Sequence, residues 1–159
     1  MMTEVPVPAK IRSENVTEEY LRSATPGEGA VTYEDGYQIK GHQDEIEIAK
    51  WIHRTFGGDV RLLKESVQRG VKMPDYMWRG KNWELKTAHS INGADKSLQH
   101  AMKQIQDNPG GVILNLLDTV PMPTLERQLL GRFLRSNENR LDVMILSENE
   151  LVKILRYKK

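Results

Sequence analysis

Cysteine is absent from the 159 residues, so disulfides, thiolate metal centres and cysteine nucleophiles are excluded. Any metal would have to be held by carboxylates, carbonyls or one of the four histidines. No apolar run approaches the roughly 20 residues that a spanning helix needs, so no membrane span is expected. The Met-Met-Thr-Glu start has neither a basic n-region nor an apolar h-region, so no cleavable signal peptide is expected. An excess of one charge sign is missing too. The net charge of +1 argues against a strong global field for nucleic acid and leaves room for a local basic patch.

What is present suits one folded domain. Pro6, Pro8 and Pro26 among Ser, Thr and Glu predict an extended or loosely ordered lead-in over residues 1–28. Within it, Thr17 is placed to cap a short helix over 17–23. The domain proper is expected over 29–159. In "GAVTYEDGYQIKG", Val31, Tyr33, Tyr37 and Ile39 flank the turn EDG and predict a small hairpin. "QDEIEIAKWIHRTFGG" opens with acids and ends on Gly57-Gly58, as a helix does. "DVRLLKES", "MPDYMWRG" and "NWELKT" read as strands, the last two turned through Gly80-Lys81. "DKSLQHAMKQIQ" carries Leu98, Ala101, Met102 and Ile105 on one helical stripe and is stopped by "NPGG". The continuous apolar run Val112–Leu117 predicts a strand covered on both faces. A helix over 124–136 and the strands "LDVMIL" and "LVKILRY" complete the chain. The order α-β-β-β-α-β with an α-β-β tail indicates an α/β (α+β) domain, a mixed central sheet flanked by helices.

Charge interrupts the central strands. On "NWELKT", Asn82, Glu84 and Lys86 face one side while Trp83 and Leu85 face the other and anchor the strand. Asp75 lies on the preceding strand, within reach of Glu84 if the hairpin register allows. Two semi-buried carboxylates repel, and a Mg²⁺ or Mn²⁺ ion, which takes carboxylate oxygens, relieves that cost. Such an ion polarises phosphoryl oxygens and lowers the pKa of bound water. Lys86 is suited to orient that water or offset transition-state charge. Glu45, Ile48, Ala49, Ile52 and Phe56 form one helical stripe, so Glu45 opens an otherwise apolar face.

"PD", eight residues and then "ELK" resemble the PD-(D/E)XK signature of nucleases with a restriction-endonuclease-like core, whose element order is similar to the order over 43–117. By position, the resemblance implies Asp75 and Glu84 as metal ligands, Lys86 as catalytic lysine and Glu45 as a helix-borne acid. "EIEIAKWI…GGDVRLL", "MPDYMW…WELKT", "SLQHAMKQI" and "VILNLL" also resemble the nuclease toxin domains at the C-termini of contact-dependent inhibition proteins (CdiA). That resemblance implies a bacterial or phage-borne toxin effector acting in the cytoplasm, with or without delivery into target cells. It further implies cleavage of RNA, tRNA above all, or of DNA, with Mg²⁺, Mn²⁺ or Zn²⁺, and a cognate immunity protein as partner.

Some toxins of similar pattern have a barnase/EndoU/colicin/RelE-like fold and use no metal. There, Lys86 and His89 would bind phosphate and act as acid-base groups. A non-catalytic nucleic-acid- or protein-binding module is the remaining alternative. Arg79, Lys81, Lys96 and Lys72 are candidate nucleic-acid contacts, as are Lys64 and Arg69. His42, His53 and His100 show no ligand spacing and are expected on the surface, and Gln104 is expected to flank the core stripe.

Overall fold

The computed structural model describes residues 12–66, 68, 70 and 72–159. In chain order it has β1 (Ser13–Asn15), α1 (Thr17–Arg22), β2 (Val31–Tyr33), α2 (Gln43–Thr55), β3 (Val60–Leu62) and β4 (Tyr76–Trp78). Then come β5 (Lys81–Ala88), α3 (Ile91–Ile105), β6 (Pro109–Leu116), α4 (Met122–Leu134), β7 (Arg140–Ser147) and β8 (Glu150–Lys158). The strands among the described residues form one sheet in the order β1-β8-β7-β6-β5-β4-β3-β2. The central β5, β6 and β7 run parallel, as do β2 and β3, and the other neighbours are antiparallel.

Side-chain alternation divides the core in two. Val112 and Leu114 of β6, with Val143 and Ile145 of β7, meet α3 and α4 on one face. Ile113 and Met144 turn to the other face, where α1 and α2 bring Tyr20, Ile48, Ala49, Ile52 and Phe56. Parallel strands need helical crossovers, and α3 and α4 supply them after β5 and β6. That is why the apolar runs of β6 and β7 are continuous rather than alternating.

One close approach sets the β5–β6 register. Trp83 packs on the backbone of Gly110 and Gly111, where the pairing shifts between Asn82 and Trp83. A Cβ on Gly111 would lie 2.5 Å from the Asp142 carbonyl oxygen and 2.6 Å from the Trp83 ring. Only glycine allows this approach.

Several local expectations are revised. Of the 31–39 hairpin only β2 is a strand, and it pairs in parallel with β3. Val60 and Leu62 already present an apolar edge against α2 there. Tyr37 instead folds back beside Tyr33, with ring centroids 5.4 Å apart. The strand predicted over 59–66 is confined to β3, and β6 already begins at Pro109, within the segment read as a helix stop. Within the predicted lead-in, β1 pairs with β8, and Val16 and Tyr20 are buried. Thr17 is the first helical residue rather than the cap, its N–H donating to Asn15 Oδ1 at 3.0 Å. Pro6 and Pro8 lie outside the described residues. The β4–β5 turn is Arg79-Gly80, with Lys81 already paired to Trp78. Among the described residues, no helix is long and apolar enough to cross a membrane.

Overpacking at the glycine seat gives a direct check. Gly111→Ala is expected to lower the unfolding free energy by about 1–3 kcal/mol, read as a lower denaturant midpoint at unchanged slope.

Candidate active site

Pairing of Tyr76 with Trp83 brings Asp75, one residue before β4, level with Glu84. Two hydrogen bonds then tie the acids reciprocally to the strands. The Asp75 N–H donates to Glu84 Oε1 at 2.9 Å, and the Leu85 N–H donates to Asp75 Oδ2 at 2.9 Å. On the outer side, the Leu63 N–H donates to the Asp75 carbonyl at 2.9 Å. Asp75 is therefore held on both sides although it is not itself a strand residue.

Glu84 is only 2% exposed, because α3 covers the face onto which it projects. Its Oε2 lies 3.3 Å from Lys86 Nζ. Glu45, in the first turn of α2, comes to the other side of Asp75. Its Oε2 accepts the Tyr37 hydroxyl at 2.9 Å and its backbone carbonyl accepts the Tyr76 hydroxyl at 2.7 Å. Tyr76 thus fixes the start of α2 to β4, and Tyr37 ties it to the segment that leads into it. Glu45, Asp75, Glu84 and Lys86 form one continuous polar chain.

Nothing in that chain neutralises three carboxyls except one lysine. Burial, and then the neighbouring Glu84 charge, pushes the Asp75 carboxyl up to about 7. Burial and the Asp75 charge push Glu45 up to about 7 as well. Glu84 is raised by burial, partly offset by hydrogen bonding to Asp75 and by Lys86. The carboxyls stand close enough to shift one another, so they titrate as a coupled group rather than singly.

Asp75 lines two cavities. One, about 290 Å³, includes Glu45, Tyr37, His42 and Lys64. The other, about 330 Å³, includes Lys86, Lys72, His100 and Gln104. Gln104 Oε1 is buried and has no hydrogen-bond partner, which holds for no other buried side-chain oxygen or nitrogen among the described residues. An orphaned acceptor of this kind calls for a donor or a cation. Sequence position alone set Gln104 and His100 apart from the acids, yet Lys96, His100 and Gln104 recur four residues apart, beside the apolar stripe of α3. That spacing is the signal for a polar edge along the helix.

Among the described residues, no three His, Asp or Glu side chains gather as a metal-binding group. The carboxylates that could serve a cation here are those of Asp75 and Glu84, a pair that would leave the remaining coordination to water. This suits a hydrated hard cation such as Mg²⁺, which commonly takes one or two carboxylates. The raised carboxyl pKa values are what a cation would relieve.

His89 is not brought to this cluster. It follows the last residue of β5, with Nδ1 2.8 Å from Asp118 Oδ2. Three residues beyond Lys86, it stands roughly 10 Å farther along the strand. Arg79 and Lys81 lie at the other end of the β4–β5 hairpin, on a separate cavity. Lys96 is exposed on α3, and Arg69 lies outside the described residues.

The sequence matches no protein-family model and no curated protein. Among solved structures, the chain is similar to the CdiA-CT/CdiI toxin and immunity complex from Burkholderia pseudomallei. The likeness covers 82% of this chain and 100% of that chain, at 14% identity and a TM-score of 0.46.

The raised carboxyls predict a pH-dependent stability. Because the folded form binds these protons more tightly than the unfolded chain, stability falls as pH rises from the ordinary carboxylate range through about 7. Asp75→Asn is expected to stabilise the metal-free protein by about 1–2 kcal/mol above pH 7, with the gain vanishing below about pH 4. Denaturant unfolding across pH measures it.

Proposed function

We propose that this chain is a metal-dependent nuclease that hydrolyses phosphodiester bonds of RNA, tRNA foremost, and serves as a toxin effector. The observation that carries the catalytic reading is the reciprocal Asp75–Glu84 pair, with Lys86 3.3 Å from Glu84 and the unpartnered Gln104 acceptor in the adjoining cavity. Placement of the pair at the start of β4 and on β5, between α2 and α3, supports the nuclease-core resemblance. The toxin role, an immunity protein as partner and action in a target-cell cytoplasm rest on the resemblance of the sequence elements alone.

In this reading Asp75 and Glu84 hold a Mg²⁺ or Mn²⁺ ion, with Zn²⁺ as an alternative occupant. The bound ion supplies Lewis-acid polarisation of the phosphate and a water of lowered pKa. Lys86 donates toward charge developing on the phosphate, its ammonium held in place by Glu84. Gln104 Oε1 accepts a hydrogen bond from the attacking water and so orients its lone pair. Glu45, coupled to Asp75, holds the proton released as that water is consumed.

The metal-free alternative needs Lys86 and His89 to act on one phosphate. Their separation along β5 and the commitment of His89 to Asp118 favour the acid cluster. Digestion of total RNA and plasmid DNA with each metal or with chelator tests both. Chelator is expected to abolish cleavage, and Glu84→Gln to slow it about 100- to 1,000-fold. Chelator-resistant cleavage of RNA alone, leaving 2′,3′-cyclic phosphate ends, would instead establish the Lys86/His89 route. Cleavage should also strengthen as pH rises through about 7, because Asp75 then loses its proton and binds a cation better, and Glu45 becomes free to accept one.

Gln104→Leu separates function from stability. Removing an unsatisfied buried acceptor is expected to stabilise the fold by about 1 kcal/mol while slowing turnover. Thermal melts and initial rates on one preparation read both.

A further inference from the structure

A larger cavity, of about 590 Å³, lies away from the acids, at the turn end of β4 and β5. The starts of β5, β6 and β7 form its floor, and α1 closes one side. Its size is that of small-molecule and cofactor sites.

The turn itself carries the first argument. Arg79 and Gly80 have φ of 52° and 75°, a left-handed pair that favours Asn-Gly or Gly-Gly. A long side chain is disfavoured there, yet Arg79 is held firmly. Its guanidinium lies 4.7 Å from the Trp78 ring centroid, and Nη2 donates to the Phe56 carbonyl at 3.1 Å. Strain kept at a residue whose side chain lines a cavity marks a functional position.

Charge gives the second argument. Arg79, Lys81 and Arg140 line the cavity, and none is in an ion pair among the described residues. The acids there are largely committed. Asp142 and Glu19 both bind Arg156, at 2.8 Å and 2.6 Å, and Asp142 also accepts the Tyr20 hydroxyl. The carboxyl of Glu138 is raised by burial. Cations that no carboxylate pairs therefore line the cavity, and they suit an anionic ligand.

Position gives the third. Lys81 precedes Glu84 by three residues on β5, roughly 10 Å along the strand and on the opposite, α1 and α2 face of the sheet, so a single strand cut at the acids reaches the cavity by passing round the β4–β5 turn. A duplex presents a convex backbone with its bases stacked inside, whereas an unpaired nucleotide can be splayed into a concavity.

We propose that this cavity is a nucleotide subsite that takes one unpaired nucleotide of a single-stranded substrate, with Arg79, Lys81 and Arg140 on its phosphates. Its role in directing cleavage to unpaired segments rests on the nuclease reading; its ability to bind does not. The test uses the full chain in chelator, so that binding is read without turnover. Tryptophan fluorescence, to which Trp78 and Trp83 on the cavity wall contribute, follows titration with a five-nucleotide single-stranded RNA, a blunt RNA duplex and a penta-glutamate peptide. The single strand is expected to bind at least tenfold tighter than the duplex. Arg79→Gly combined with Lys81→Ala is expected to weaken it at least tenfold, while Lys103→Ala leaves it unchanged. Thermal melts of Arg79→Gly alone, of Lys81→Ala alone and of the double variant accompany the titrations, and binding is compared only at temperatures where each is folded, so lost binding is not lost folding. Equal affinity for duplex, an unaffected double variant, or an effect confined to the acidic peptide would overturn the subsite. Binding with no cleavage under any metal would remove the nuclease reading and leave the subsite standing. Cleavage with KM unchanged in the double variant would do the reverse.

Discussion

The seat of Trp83 on Gly110 and Gly111 is the contact on which the rest of the arrangement depends. It shifts the pairing of β5 on β6 at Asn82 and Trp83, and from there the register runs unbroken from Glu84 opposite Val112 to Ala88 opposite Leu116. Because strand side chains alternate, one residue of slippage would send Glu84 to the α2 face and Leu85 to the α3 face. The same indole closes the floor of the large cavity. One aromatic residue over two glycines thus sets both the facing of the buried acid and the shape of the space beyond it.

Against this rigid frame, the acid cluster is a local cost. Glu84 is buried, Asp75 is partly buried and Glu45 stands beside them, with Lys86 as the near cation. The fold meets that cost with backbone donors, two tyrosine hydroxyls and carboxyls of raised pKa rather than with apolar replacement. Buried polar groups so fully connected rigidify their surroundings. The one orphan among the described residues, Gln104 Oε1, stands where such a network would receive something from outside.

Much of the centre was legible in the sequence because it is built from local periodicity. The α2 stripe, the alternation of Trp83 and Leu85 with Glu84 and Lys86, and the α3 stripe each lie within one element. The adjacency of Asp75 and Glu84 was legible as well, since one hairpin with a short turn joins them. What was hidden depends on partners distant in the chain. β2 pairs with β3 rather than with the residues after its own turn, and three-residue β1 finds its place only against β8. The large cavity draws on α1, the β4–β5 turn and the starts of β6 and β7, which no window of sequence contains. His89 read as a neighbour of the motif, but extended strand geometry carries it away.

The pairing of β1 with β8 has a mechanical meaning. Ser13 sits opposite Tyr157 and Asn15 opposite Leu155, so the incoming and outgoing ends of the chain leave the sheet side by side at one edge. A pull that separates those ends loads their hydrogen bonds one after another, as in unzipping, instead of all together in shear. The first barrier is then a three-residue strand and the Glu19–Arg156 pair behind it. The acid cluster lies four strands in from this edge, on β5. A fold laid out this way resists heat through its centre and yields to tension from its rim.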